Sequence, residues 1–166
     1  MWLNRPVMQD VLQRRRLLLL VGLLVFGPLR AFAAATAAES DSFDSDEALD
    51  WIGLCLRSPG TVAVAKTLEL SLKPGTLEAA DASAAVAAAE VVAAALGHPN
   101  AKMPQELGTW LAAQKQGDVV KLKPVAARAV ERILNGKGSE LQAQWKESKD
   151  FEAWQAHMRD LQERLR

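Results

Sequence analysis

The sequence has little of the chemistry that cross-links small proteins or binds metal ions. Its 166 residues include one cysteine, two histidines and no tyrosine. A single cysteine cannot form an intrachain disulfide or provide the thiolates of a zinc finger or an iron–sulfur cluster. A glycine-rich phosphate loop, a serine nucleophile elbow and a His-Glu-x-x-His motif are absent from the sequence as well. We therefore expect no cofactor and no resident metal ion.

The chain has no excess of charge of either sign, but its charges are unevenly distributed. Residues 1–33 contain five basic residues and one acidic residue, a net charge of +4, which leaves a net charge of −4 for residues 34–166. Binding a polyanion requires clustered Lys and Arg that release counterions. The acidic body of the chain therefore predicts no nucleic-acid partner.

The N-terminal residues have the pattern of an export signal. Arg14–Arg16 precede the apolar run 17–29, and Ala31–Ala33 supply the small-x-small pattern that signal peptidase accepts. The 13 apolar residues reach only about 20 Å as a helix, short of the roughly 30 Å hydrocarbon core. The pattern predicts a signal peptide over residues 1–33 and export to the periplasm, the extracellular space or an organelle lumen.

Two alternatives for this segment stay open. Residues 17–29 would anchor the protein in a membrane if no cleavage took place, and we expect membrane contact only through this segment. Arg14-Arg15 followed by Leu17-Leu18 also resembles the twin-arginine signal of proteins that fold before export. After cleavage, residues 34–42 are expected to form a flexible leader because they are small or polar and show no periodicity.

The rest of the chain has the periodicity of helices. Apolar residues recur at spacings of three and four, and short Pro/Gly breaks separate the segments. No segment alternates convincingly with period two; residues 119–122 are the one candidate, and they are too few to build a sheet. The pattern predicts a compact all-α bundle of about six to seven short helices over residues 43–166. The helices are expected to begin near Ser45, Val62, Asp81 or Ser83, Pro104, Pro124, Ser139 and Asp150.

The predicted core has two notable parts. Leu49, Ile52, Cys55 and Leu56 form an apolar stripe on the first helix. The segment 79–95 is rich in alanine, the strongest helix former, so we place it at the centre of the bundle, where small side chains let neighbouring helices approach closely. An exposed alanine-rich spacer is the alternative.

Several segments resemble one known family in the same order. The string FDSDEALDW at residues 43–51 is followed by LEAAD at 77–81, AAEVVAA at 88–94 and AVERIL at 129–134, with further matches at 104–110 and 139–165. The ordered set is similar to the uncharacterised bacterial family called domain of unknown function 4259. The resemblance implies an all-helical fold and no particular activity.

Acidic residues cluster at the start of the first helix. Asp44, Asp46 and Asp50 are candidates for a binding surface, together with Asp41 and Glu47. A calcium loop needs Gly at its sixth position and Glu at its twelfth, but counting from Asp44 these positions hold leucine and cysteine. We expect the cluster to cap the helix and its negative charges to interact favourably with the helix dipole. A cation site and an acidic lip for a partner remain the alternatives.

Glu90 is the carboxylate that sequence alone places closest to the core. It lies about 40° around the helix from Val86, so it is near the packed face. A buried charge needs a partner. We expect Arg128 or Arg132 to pair with Glu90 and fix how two helices dock; a catalytic acid or base is the alternative.

Two further side-chain types, the cysteine and the tryptophans, have chemistry suited to catalysis or binding. The sequence places Cys55 on an apolar stripe, where a thiol behaves as a small hydrophobe rather than as a nucleophile assisted by a histidine. The tryptophans are expected in the core, with Trp51 and Trp145 as candidate partner contacts. Trp145 is the least secure core residue because polar residues flank it.

The sequence thus favours an exported, non-catalytic helical module that binds another protein, such as an immunity or regulatory partner. The alternative is an envelope hydrolase that uses Glu90 or the acidic residues between Asp44 and Asp50.

Overall fold

The computed structural model describes residues 42–166. The predicted signal peptide, its membrane-anchor alternative at residues 17–29 and the leader up to residue 41 lie outside the described residues. Within residues 42–166, no helix combines the length and apolar character needed to cross a membrane.

Residues 42–166 form eight α helices and no named strand, which confirms the predicted all-α bundle. One isolated parallel bridge joins Leu77 to Ser139. The helices are α1 (Asp46–Arg57), α2 (Val62–Leu70), α3 (Ala79–Ala95), α4 (Gln105–Ala112), α5 (Gln116–Val120), α6 (Lys123–Asn135), α7 (Glu140–Lys146) and α8 (Phe151–Arg164).

The alanine-rich helix α3 is the centre of the bundle. Eleven of its 17 residues are buried, and it contacts each of the other seven described helices. Small side chains around its whole circumference allow helices to pack on every side. The prediction of a central α3 is confirmed, and the exposed-spacer alternative is wrong.

Local signals set most of the helix boundaries. The Ser45 hydroxyl accepts from the Ala48 amide at the start of α1, and the Ser139 hydroxyl accepts from the Gln142 amide at the start of α7. Both serines satisfy amides that have no partner within the helix. The expected boundary at Asp81 is two residues late, because α3 already begins at Ala79. The sequence does not predict the short helix α5, which overlaps residues 119–122, the one candidate strand segment.

The buried face of α1 differs from the predicted stripe. Ala48, Trp51, Ile52 and Cys55 are buried, whereas Leu49 is 52% and Leu56 37% exposed. Burying Trp51 together with Ala48 and Cys55 fixes the rotation of the helix, and Leu49 then lies about 100° around the axis from Ala48. The predicted inward orientation of Leu49 and Leu56 is wrong for this reason.

Candidate functional site

A groove lies between α1, α2 and the start of α3, with a volume of about 580 Å³. We call it the α1–α2 groove. Its walls carry apolar side chains and its edges carry charged ones; the residues that define it are Glu47, Asp50, Trp51, Leu54, Val62, Lys66, Leu70 and Asp81.

The apolar walls of the groove face solvent. Leu54 is 51%, Val62 59% and Leu70 41% exposed. Val62 and Leu70 are eight residues apart on α2, so they lie about 80° apart around the helix and about 12 Å apart along its axis. A single exposed leucine needs no explanation, but here three exposed apolar side chains line one groove.

Trp51 joins the two helices that form the groove. Its ring is 4% exposed, and its indole Nε1 donates to Thr67 Oγ1 of α2 over 2.8 Å. Because a buried indole N–H needs an acceptor, this hydrogen bond fixes the spacing of α1 and α2. The sequence-predicted candidate Trp51 is therefore one of the groove's supports.

The edges of the groove are acidic. Glu47, Asp50 and Asp81 line it, and Lys66 is the one cation among its lining residues. Across residues 44–81 there are seven acidic and three basic residues, a net charge of −4, against +2 for residues 82–166. Within that segment the groove lining itself holds three acidic residues and one basic residue, a net charge of −2.

The acidic cluster predicted from sequence is only partly at the groove. Asp50 lines it, whereas Asp44 and Asp46 are exposed near the start of α1, and Asp44 lies 4.0 Å from Lys102 Nζ. Among the described residues, no group of three or more His, Cys, Asp or Glu side chains is arranged to hold a metal ion.

The second polar feature of the domain is a hydrogen-bonded network around Glu90. The Glu90 side chain is fully buried on α3, and Arg164 of α8 donates to both of its oxygens, with distances of 2.6 and 2.8 Å. Ser42 Oγ donates to Glu90 Oε1 over 2.9 Å, and Asn100 Nδ2 donates to the same oxygen over 3.2 Å. We call these residues, together with His157, the Glu90 network.

The expected partner of Glu90 was wrong: Arg164 pairs with it rather than Arg128 or Arg132. Burial alone would lower the pKa of Arg164, but the hydrogen bonds and charges of Glu90 and Asp160 raise it above its ordinary value. Two-point contact between a guanidinium and a carboxylate is a strong and directional form of ion pair. The pair therefore fixes how α8 docks on α3.

Arg128 and Arg132, the two arginines predicted to pair with Glu90, lie elsewhere in the fold. Arg132 donates to the carbonyl oxygens of Ser71, Lys73 and Gly75 at 2.5 to 2.6 Å, so it binds the end of α2 and the loop that follows. Arg128 is exposed one helical turn earlier on α6. Both side chains border the same open cleft beside the loop.

The Glu90 network has the residue types of a hydrolase but not the geometry. His157 Nε2 lies 2.6 Å from Ser42 Oγ and 3.5 Å from Glu90 Oε1, so both contacts use one ring nitrogen. In a Ser-His-acid triad the carboxylate binds the other nitrogen and the serine proton points to the histidine. Here the serine proton points to Glu90, and the adjoining cavity holds only about 70 Å³, below the roughly 300 to 1,000 Å³ of small-molecule sites. The arrangement joins Ser42, α3 and α8 through hydrogen bonds.

The remaining candidates, Cys55 and Trp145, are both part of the packed core or lie against it. Cys55 is fully buried, and burial raises its pKa to about 12, which keeps the thiol protonated and unreactive. Trp145 is half-buried and stacks on Trp154, with ring centroids 6.0 Å apart and planes inclined by 11°. Trp145 borders the small cavity beside Ser42 and lies outside the α1–α2 groove.

Sequence reasoning missed several residues of the Glu90 network and of the α1–α2 groove. The sequence places Ser42 in the leader, but Ser42 is buried in the Glu90 network, so that prediction is wrong for this residue. Helical spacing offered one unused signal: His157 and Arg164 are seven residues apart, so they lie on one face of α8, next to Asp160. No feature of the sequence marked Leu54, Val62 and Leu70 as groove residues, because an exposed aliphatic side chain looks the same in sequence as a buried one.

The fold and its sites define a small all-α domain with a solvent-facing groove and a buried ion pair. The domain of unknown function DUF4259 matches residues 36–157, which is most of the chain, and the protein belongs to this family. The match includes the whole α1–α2 groove but ends before Arg164. No curated protein and no solved structure matches the chain.

Proposed function

We propose that this protein is an exported, non-catalytic module that binds another protein, as an immunity or regulatory component, through the α1–α2 groove. The observation that carries the proposal is the grouping of Leu54, Val62 and Leu70 along one acidic groove. An apolar surface rimmed by polar residues is typical of a site where a protein partner docks.

The buried Glu90 network supports a binding role over a hydrolytic one. Both oxygens of Glu90 accept hydrogen bonds from the protein itself, and the Cys55 thiol stays protonated. Neither group is in position to act on a bound molecule.

Site-specific photo-cross-linking in the cells that export the protein tests the binding role. A benzophenone amino acid replaces Leu54 in the groove or, as the control, Ala153, which is exposed on α8 and outside the groove. We expect a discrete protein adduct from position 54 and none from position 153. Equal adducts from the two positions, or no adduct from position 54, would contradict the proposal.

Export is proposed from the sequence of residues 1–33. Mass spectrometry of the protein recovered from its native compartment should find a chain that begins at or near Ala34. An intact Met1 on a membrane-bound protein would instead support the anchor at residues 17–29.

A further inference from the structure

We infer that the occupant of the α1–α2 groove is an amphipathic helix of the partner, with one apolar stripe and basic residues on both sides of it. This inference rests on the proposed binding function and specifies the chemistry of the partner.

The shape of the groove selects a helix. It is lined by residues of α1, α2 and the start of α3, so a docked helix would pack against three helices at once. An added β strand requires an open sheet edge, and residues 42–166 form no sheet. A polyproline segment requires a series of aromatic side chains, and Trp51 is the single aromatic residue lining the groove.

The length of the groove sets the length of the occupant. Leu54, Val62 and Leu70 supply the exposed apolar contacts, and Val62 and Leu70 lie about 12 Å apart along α2. An apolar stripe at positions i, i+4 and i+7 covers about 10.5 Å, so two to three turns of helix fill the site.

Charge selects the flanking residues. Glu47 and Asp50 lie on the α1 side of the groove and Asp81 lies at the start of α3, with Lys66 the one opposing cation among the lining residues. Lys or Arg beside the apolar stripe of the occupant would face these carboxylates. Acidic residues at the same places would face like charge, which disfavours binding.

A synthetic peptide tests this inference on the purified protein. The probe is a fluorescent 16-residue helical peptide with leucines at i, i+4 and i+7 and lysines on both sides of them. Two control peptides have glutamate in place of every lysine or the same residues in a shuffled order. We expect the lysine peptide to bind at least tenfold more tightly than either control by fluorescence anisotropy. Its affinity should fall as salt rises from 50 to 300 mM.

The chain offers a closely matched pair of variants. Leu54 and Leu49 are both on α1 and are 51% and 52% exposed, but only Leu54 lines the groove. The variant Leu54→Ser should weaken the lysine peptide at least tenfold, whereas Leu49→Ser should leave its affinity within twofold. Because both side chains are half-exposed, neither change should unfold the protein, and circular dichroism verifies this.

The outcomes separate this inference from the proposed function. Tighter binding of the glutamate peptide, or equal effects of the two serine variants, overturns the inferred chemistry of the partner. A dimer of the protein that Leu54→Ser dissociates also overturns it, in favour of a second copy as the occupant. If a cross-link from position 54 to a different protein persists in either case, the binding function stands. If that cross-link is absent, the binding function fails whatever the peptides do.

Discussion

At the scale of single residues, the pair Glu90–Arg164 makes the sharpest prediction about stability. Removing one member of a buried pair leaves an uncompensated charge, at a cost of about 3 to 5 kcal/mol. Glu90 is fully buried and Arg164 donates to both of its oxygens. Urea unfolding should therefore show Glu90→Ala and Arg164→Ala to be destabilised by about that amount.

The control for this prediction is the exposed pair Glu163–Arg166. Its atoms are 2.8 Å apart, close to the distances in the buried pair, but its side chains are 61% and 75% exposed. Glu163→Ala should cost less than about 1 kcal/mol because water screens the pair. Joint replacement by Glu90→Ala and Arg164→Ala should cost less than the sum of the two single alanine variants. If the double replacement cost the full sum, the two charges would not be coupled and the structural role assigned to them would be wrong.

Cys55 makes a second prediction at this scale, about pH. Burial raises the pKa of its thiol from 9.0 to about 12, so the folded protein retains a proton that the unfolded chain releases. Cys55 therefore makes the free energy of unfolding decrease as pH rises between these two values, by at most about 1.4 kcal/mol per pH unit. The variant Cys55→Ala lacks this component, so the difference between the two proteins should shrink or reverse in that range.

Thiol chemistry checks the same burial independently. At pH 8 the folded protein should react with a disulfide reagent far more slowly than the urea-unfolded protein, because Cys55 is fully buried. Rapid reaction of the folded protein would show that α1 does not pack as described.

At the scale of secondary-structure elements, Arg132 makes the end of α2 part of the packed structure. Its guanidinium binds the carbonyl oxygens of Ser71, Lys73 and Gly75, groups that α2 and its following loop leave without helical partners. Arg132→Met should cost about 1.5 to 3 kcal/mol, the usual value of hydrogen bonds to a charged group. Hydrogen exchange should accelerate in the loop around Lys73.

Arg128 is the control for that prediction. It is the same residue type on the same helix, but it is exposed. Arg128→Met should change the free energy of unfolding by no more than about 0.5 kcal/mol. If the two variants were equally destabilised, net charge rather than the contacts of Arg132 would be responsible.

The elements also show what sequence alone could and could not predict. Capping serines and Pro/Gly breaks act within a few residues, so Ser45, Ser139 and most helix boundaries were predictable. The partner of Glu90 was not, because Arg164 lies 74 residues away and helical periodicity does not say which neighbour a face meets. The groove could not be predicted either. The apolar residues of α1 are compatible with two rotations of the helix about its axis, and only the packing of Trp51 decides between them.

At the scale of the whole molecule, the two ends of the described domain meet at its central helix. Ser42 and Arg164 both donate to Glu90, so one carboxylate on α3 joins the segment before α1 to the end of α8. The family match ends at residue 157 and omits this last contact. The final residues of α8 should therefore contribute to stability out of proportion to their number.

Two truncations test this contribution. Removal of residues 164–166 deletes the cation that pairs with Glu90 and also Leu165, which is 1% exposed. The expected loss exceeds about 4 kcal/mol, comparable to the roughly 5 to 15 kcal/mol that stabilise a typical domain. The thermal midpoint should fall by more than about 10 °C.

Removal of Arg166 alone deletes only an exposed residue that contacts Glu163 and Lys123, so the midpoint should move by no more than a few degrees. If both truncated proteins melted like the full chain, Glu90 would have to be satisfied without Arg164. The closure of the domain through that ion pair would then be refuted.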